Sequence, residues 1–178
     1  HQLRNNMKKI LLSTILLIST SYASIHSINS FEADFVQSIT DDKDKTLSYS
    51  GHVIAKKPQY AKWNYKEPVQ KIIYISHFEV TIVEPEIEQV IIRKIESNFD
   101  FFQMIKNAKE VSKNKYVAHY KNTAFKITKK DNLIYTIAYK DEFENDVLIK
   151  FKKQKQDKEI DETQFQPKYS LDFDIIQD

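Results

Sequence analysis

Along most of the chain, apolar and polar side chains alternate over short runs broken by polar links. Phe31, Ala33 and Phe35 recur at every second position, and Trp63 and Tyr65 alternate with Asn64 and Lys66. Lys71 to Ile75, Val80 to Val83 and Gln89 to Ile92 are rich in β-branched residues. Leu47 to Lys57 carries apolar groups on both parities, with Val53 and Ala55 on the face shared by Lys57 and Ile54 opposite. Period-two alternation with β-branched and aromatic residues predicts strands. Tyr116–Tyr120, Ala124–Thr128, Leu133–Tyr139 and Val147–Phe151 continue the rhythm. Polar links such as Lys129-Lys130-Asp131-Asn132 and the stretch from Lys140 to Asp146 separate them. These links are too short for parallel crossovers. The pattern therefore predicts an antiparallel meander, as a curved sheet, sandwich or barrel.

Two segments have helical spacing instead. Ile25, Ile28 and Phe31 recur at three-residue steps. A second helix is expected over Phe99 to Lys109, capped by Asn98, with Phe99, Phe102, Met104, Ile105 and Ala108 forming a broad apolar face. That face fits either ordinary core or a lid over a ligand cavity. Lys152 to Glu162 reads as a solvated loop.

The amino-terminal pattern is different again. Met7-Lys8-Lys9 is basic, Ile10 to Ile18 is apolar apart from Ser13 and Thr14, and Ser21-Tyr22-Ala23 offers small residues for cleavage. The apolar run is shorter than the roughly 20 residues of a membrane span. Residues 1–23 are thus expected to be upstream residues plus a signal peptide starting at Met7. Residues 24–178 are expected to form one domain. The predicted signal holds Arg4, Lys8 and Lys9, and without them Lys+Arg of 27 falls close to the 25 Asp+Glu. A near-neutral mature chain gives no argument for nucleic acid. There is no cysteine, hence no lipid attachment through one and no disulfide.

The chemistry-bearing residues are sparse. The single glycine, Gly51, excludes glycine-rich phosphate loops and nucleophile elbows. His26, His52, His77 and His119 are scattered without metal-ligand spacing. Asp41-Asp42, Glu84/Glu86/Glu88 and Asp172/Asp174 read as solvated turns and strand faces. No catalytic residue, metal or cofactor is expected.

Four motifs in register carry a resemblance: Phe31-Glu32-Ala33-Asp34-Phe35-Val36-Gln37; Gly51 with Lys56-Lys57-Pro58; Lys62-Trp63-x-Tyr65-x-x-Pro68; and Val80-x-x-Val83-Glu84-Pro85-x-x-x-Gln89-Val90. In order and spacing they resemble the periplasmic outer-membrane lipoprotein carrier (LolA) family. The resemblance implies a mainly β fold with a few helices: an open, unclosed antiparallel half-barrel whose hydrophobic concave face is covered by helices. It implies a non-enzymatic, monomeric periplasmic carrier of acylated lipoproteins. Cargo would come from an inner-membrane lipoprotein-releasing ABC transporter and go to an outer-membrane acceptor. The cavity and lid candidates are Phe35, Val53, Ala55, Trp63, Tyr65, Phe99, Phe102, Met104 and Ile105. Lys57 stands where the family usually has an arginine that latches the lid, and lysine lacks the planar fork of that group. The chain departs from the family pattern at Ser76-His77-Phe78, at Thr81 and in the Phe165–Ile176 stretch. A related half-barrel that senses another lipid or carries a glycolipid remains an alternative, as does a secreted β-sandwich enzyme or adhesin.

Overall fold

The computed structural model describes residues 27–94 and 101–177. The strands are β1 (Ser30–Thr40), β2 (Thr46–Lys56), β3 (Tyr60–Glu67), β4 (Lys71–Ser76), β5 (Glu79–Glu84), β6 (Gln89–Lys94), β7 (Lys109–Ser112), β8 (Lys115–Tyr120), β9 (Thr123–Lys130), β10 (Leu133–Lys140), β11 (Asp146–Gln156) and β12 (Asp174–Gln177). One α-helix, α1 (Phe101–Asn107), precedes β7. All twelve strands belong to one sheet in the order β12-β6-β5-β4-β3-β2-β1-β11-β10-β9-β8-β7. The sheet does not close: β12 and β7 are its two edges, and only β12 on β6 is a parallel pair. The alternation predicted the antiparallel meander, and the open, unclosed form is the one the family resemblance implied.

Register decides the faces. Phe31 pairs with Ala55, Ala33 with Val53 and Phe35 with Gly51 across β1 and β2. Val53 then pairs with Trp63, and Trp63 with Ile73. On the other side Phe35 pairs with Phe151, and Ile149 with Ile137. Each series points to the same, concave face, where one buried cluster runs from Ile28 and Phe31 through Ile127 to α1.

The convex face is covered over its β2–β6 half only. After β11 the chain crosses it as a strap. Ile160 and Phe165 bury Ile54, with Tyr60 stacked on Phe165 at 5.4 Å. Tyr169 and Phe173 lie against Tyr74, Val83 and Val90. The strap is tied to β1 and β2 by polar contacts. Lys158 Nζ donates to Glu32 Oε2 at 3.0 Å, and Asn29 N donates to Asp157 Oδ1 at 2.7 Å. His52 contacts Asp34 at 2.7 Å and Glu32 at 3.1 Å. The Lys158 hydrogen bond holds the Glu32 carboxyl below its ordinary range, and the His52 hydrogen bond does the same for Asp34.

Gly51 sits where nothing larger fits. Its φ is not in the left-handed region, so conformation is not the reason. A Cβ there would stand 2.0 Å from the Asn64 carbonyl oxygen, because β2 and β3 close up at an irregularity between Ser50 and Gly51. The bare Cα also lets the Phe35 and Tyr65 rings meet across it, 5.0 Å apart.

Three expectations change. No helix runs from Ile28 to Phe31: residues 27–29 are irregular and Phe31 belongs to β1. Its alternation with Ala33 and Phe35 outweighs a three-residue spacing with few members. The second helix is shorter than expected, ending at Asn107. Lys152–Gln156 is the end of β11 rather than loop, since Lys152 and Lys155 pair with Asp34 and Glu32 on β1. The backbone ladder with β1 holds a run whose lysines remain exposed. The expected upstream residues and signal over residues 1–23, with Ile25, Asn98 and Phe99, lie outside the described residues.

Candidate functional site on the concave face

The concave face is built from two unequal parts. Over β1, β2 and β8–β11 it is dry. Phe35, Val53, Ala55, Tyr65, Phe102, Met104 and Ile105 all join the buried cluster, with Ile105 at 0 % and Phe35 at 1 % exposure. The helix presents Phe102, Met104 and Ile105 to the sheet, and Lys106 in its last turn suits the negative end of the dipole. Phe101, half-buried, extends the contact to Phe31, with ring centroids 6.2 Å apart.

Over β3–β6 the same face is apolar but less covered. Trp63 packs at the margin of the cluster, edge-on to Phe35 at 5.1 Å. Beyond it, register puts Ile73, Ile75, Val80, Ile82 and Ile91 on the concave side, and all five are half-buried. The sequence reading missed this aliphatic group. Its signal was present in the β-branched runs, but only the pairing shows which member of each run faces inward.

One polar contact is embedded in the aromatic part. Tyr65 Oη donates to Gln37 Oε1 at 2.6 Å. Burial pushes the Tyr65 hydroxyl up to about 12, with Tyr139 and Tyr49 adding to the effect. The Lys71 ammonium lies 4.9 Å from the Tyr65 ring centroid. This gives the aromatic wall a fixed orientation, because a buried hydroxyl must keep its acceptor.

Lys57 lies just past the end of β2, in the turn before β3, and is half-buried. Its backbone N–H donates to Asn29 O at 3.0 Å and its ammonium to Ser27 Oγ at 3.1 Å. Lys56 takes the other direction, with its ammonium donating to Ile160 O at 2.9 Å on the convex strap. Both lysines therefore tie β2 to neighbouring chain.

A concavity of this kind offers apolar surface and aromatic edges. Among the described residues, no three histidine or acidic side chains gather where a metal ion could sit. Its surface suits an apolar chain.

The family model described as outer membrane lipoprotein carrier protein LolA matches residues 26–117. The chain is 39% identical over 170 residues to an outer-membrane lipoprotein carrier protein of Campylobacter jejuni subsp. jejuni, covering 96% of this chain and 99% of the relative. The chain belongs to the LolA family.

A LolA-family relative of the same description from Helicobacter pylori is 30% identical over 136 residues, covering 76% of this chain and 73% of the relative. An uncharacterized conserved protein from Thermus thermophilus has a solved structure with a TM-score of 0.52 at 15% identity. It covers 86% of this chain and 93% of that one, and bears on the fold alone. The family match contains β1 to β7, α1 and the start of β8, so it takes in the half-covered aliphatic part of the concavity and the β1, β2 and α1 portion of the dry part.

Proposed function

We propose that this chain carries lipoproteins across the periplasm by shielding their acyl chains against its concave face. The observation that supports the reading is the apolar concavity itself, dry under α1 and half-covered over β3–β6, in a member of the LolA family. Each buried methylene is worth about 0.8 kcal/mol, so a chain of about sixteen carbons holds its protein on a membrane by roughly 12 kcal/mol. Only a comparable apolar surface offsets that cost in water. Phe35, Val53, Ala55, Trp63 and Tyr65 form the wall in this reading, and Phe102, Met104 and Ile105 the covering helix. The carrier works as a monomer behind a cleaved signal. It takes cargo from an inner-membrane ABC transporter and gives it to an outer-membrane acceptor. It acts by binding and release, without catalysis or cofactor. Lys57 belongs to the proposal as a latch, through its bond to Ser27.

The test is release. Purified mature chain is added to inner-membrane vesicles containing the transporter, with ATP. Lipoproteins are expected to leave the membrane as a soluble one-to-one complex. Lipoproteins that stay membrane-bound with every component active overturn the proposal. A soluble complex that forms but gives nothing to outer membranes would favour a lipid-binding sensor instead.

A further inference from the structure

Two hairpins that end side by side at the Thr40 end of β1 are built alike. In the loop between β1 and β2, Asp41 Oδ1 accepts from the backbone of Lys43 and Lys45, both at 2.9 Å. In the loop between β10 and β11, Asp141 Oδ1 accepts from the backbone of Phe143 and Asn145, again at 2.9 Å. Each aspartate N–H closes its loop on the residue four further along, at 3.0 Å. Asp44 and Glu144 take matching left-handed conformations, with φ of 60° and 64°. The loops adjoin because Thr40 pairs with Thr46 on β2 and with Asp146 on β11.

These rigid loops hold up an unusual set of groups. Asp42, Asp44, Glu142 and Glu144 are exposed and make no ion pair among the described residues. Phe143, between the two glutamates, is 76% exposed, although its backbone is fixed on both sides. Beside it lies a cleft of about 920 Å³, floored by Ala124, Ala138 and Leu148 and walled by the acidic hairpin. Lys126 and Lys140 also line the cleft, but Lys140 is already paired with Asp146 at 3.1 Å. The strap that covers the convex side of β2–β6 leaves this region open.

We propose that the paired hairpins are a docking surface for a protein partner that places a lysine- or arginine-bearing segment in the cleft and receives Phe143 in an apolar pocket of its own. A large aromatic group on a backbone already fixed before binding orders only its side chain when it docks, which lowers the entropy cost of an interface anchor. Lys43 and Lys45 offset part of the first hairpin's charge, and the rim, still net acidic through Asp42, Asp44, Glu142 and Glu144, favours a cationic protein face and speeds encounter with it. The same charge opposes an anionic lipid surface, which attracts basic segments. The inference stands apart from the carrier reading, since it concerns the opposite face of the sheet and one end of it.

The full chain is tested with p-benzoylphenylalanine at position 143. Position 78 serves as a control, because Phe78 is 60% exposed on a turn at the other end of the strands. After illumination in cells, the cross-linked peptides are sequenced. Position 143 is expected to give an adduct with a different protein through a Lys/Arg-containing peptide, at least tenfold above position 78. Glu142→Lys combined with Glu144→Lys should remove the adduct while circular dichroism and melting stay unchanged. Phe143→Ser provides a second variant if the charge reversal disturbs folding. It should weaken salt-sensitive binding to washed native membrane vesicles at least tenfold. Trypsin-treated vesicles and anionic phospholipid liposomes should fail to bind. An adduct with a second copy or with lipid, equal yields at 143 and 78, binding to liposomes, or variants that bind like the parent each overturn the proposal.

Discussion

Gly51→Ala is the substitution for which the geometry gives the firmest number. The added methyl would stand 2.0 Å from the Asn64 carbonyl oxygen, 2.9 Å from its carbon and 3.0 Å from Tyr65 Cα. All three are backbone atoms, so no side chain can swing away, and β2 must separate from β3 by more than an ångström. Ladder bonds on both sides of the bulge resist this. A less flexible unfolded chain returns about 0.4–1 kcal/mol. Overpacking of a fixed site costs about 1–3 kcal/mol and more when backbone must move. We expect a net loss of about 3 kcal/mol, or a melting temperature lower by about 6–12 °C for a chain of this size. The site should suffer with the fold, because Phe35 and Tyr65 meet across Gly51. Trp63 emission reports this, since its ring lies 5.1 Å from Phe35 and it is the single tryptophan. Thermal melts followed by circular dichroism and by Trp63 fluorescence give both quantities. An alanine variant within about 0.5 kcal/mol of the parent, with unchanged emission, would refute the close approach of β2 and β3.

Other outcomes follow from the same contacts. An acyl ligand should quench or shift Trp63 saturably, and Phe102→Asn should weaken that response; unchanged emission on proven binding would place Trp63 away from the ligand. Tyr65 keeps its proton to about 12 when folded against 10 when unfolded. The contribution is therefore intact below pH 10 and lost as pH rises toward 12, by about 3 kcal/mol. Tyr65→Phe should flatten that part of the alkaline stability curve measured by urea titration, leaving the slope due to Tyr139, Tyr74 and Tyr116, whose hydroxyls burial also raises. Lys57→Leu should keep the fold and lose one charged-donor hydrogen bond, worth about 1.5–3 kcal/mol. If Lys57 is the latch, the variant accepts cargo but passes it poorly to acceptor membranes, and Lys57→Arg passes it well. Equal transfer by all three chains would end the latch reading.

Most of the strands were legible because period two is a strong signal wherever one face is dry. Phe31, Ala33 and Phe35 announce β1, and the β-branched runs announce β4 to β6. That Phe35, Val53, Ala55 and Tyr65 share one buried face was legible for the same reason: each is apolar and in phase with its neighbours. What sequence did not reveal depends on pairing between distant segments. Ile160 and Phe165 stand in a charged, unpatterned stretch, yet they bury Ile54 from across the sheet. Lys152 to Gln156 has no apolar face and is strand because its backbone pairs with the start of β1. The short edge strands β7 and β12 carry weak patterns of their own and are set by β8 and β6. Phe143 reads as one apolar residue in a turn until Asp141 is seen to fix the loop beneath it.

The uneven covering of the concave face bears directly on how a carrier could load without unfolding. Ile127 on β9 is fully buried under the α1 half, whereas Ile82 on β5 is half-buried in the aliphatic half. An arriving acyl chain gains little against a surface already covered, unless α1 leaves. It gains most over Ile73, Ile82 and Ile91, where side chains from adjacent strands line up in register. On the proposed role, the aliphatic half is the loading surface and the aromatic half is the hinge against which the cover rests. Ile82→Asp and Ile127→Asp separate the two. The first removes contact with about two methylenes, near 1.6 kcal/mol at about 0.8 each, and should weaken acyl binding roughly tenfold while the melt stays cooperative. The second buries an unpaired carboxylate in the dry half and should unfold the chain or lower its melting point severely. Titration with a fatty-acid probe and a thermal melt on each variant read these effects. If Ile82→Asp binds like the parent, the chain is not held on the β3–β6 half, and loading must begin by displacing α1 from Phe31 and Ile127.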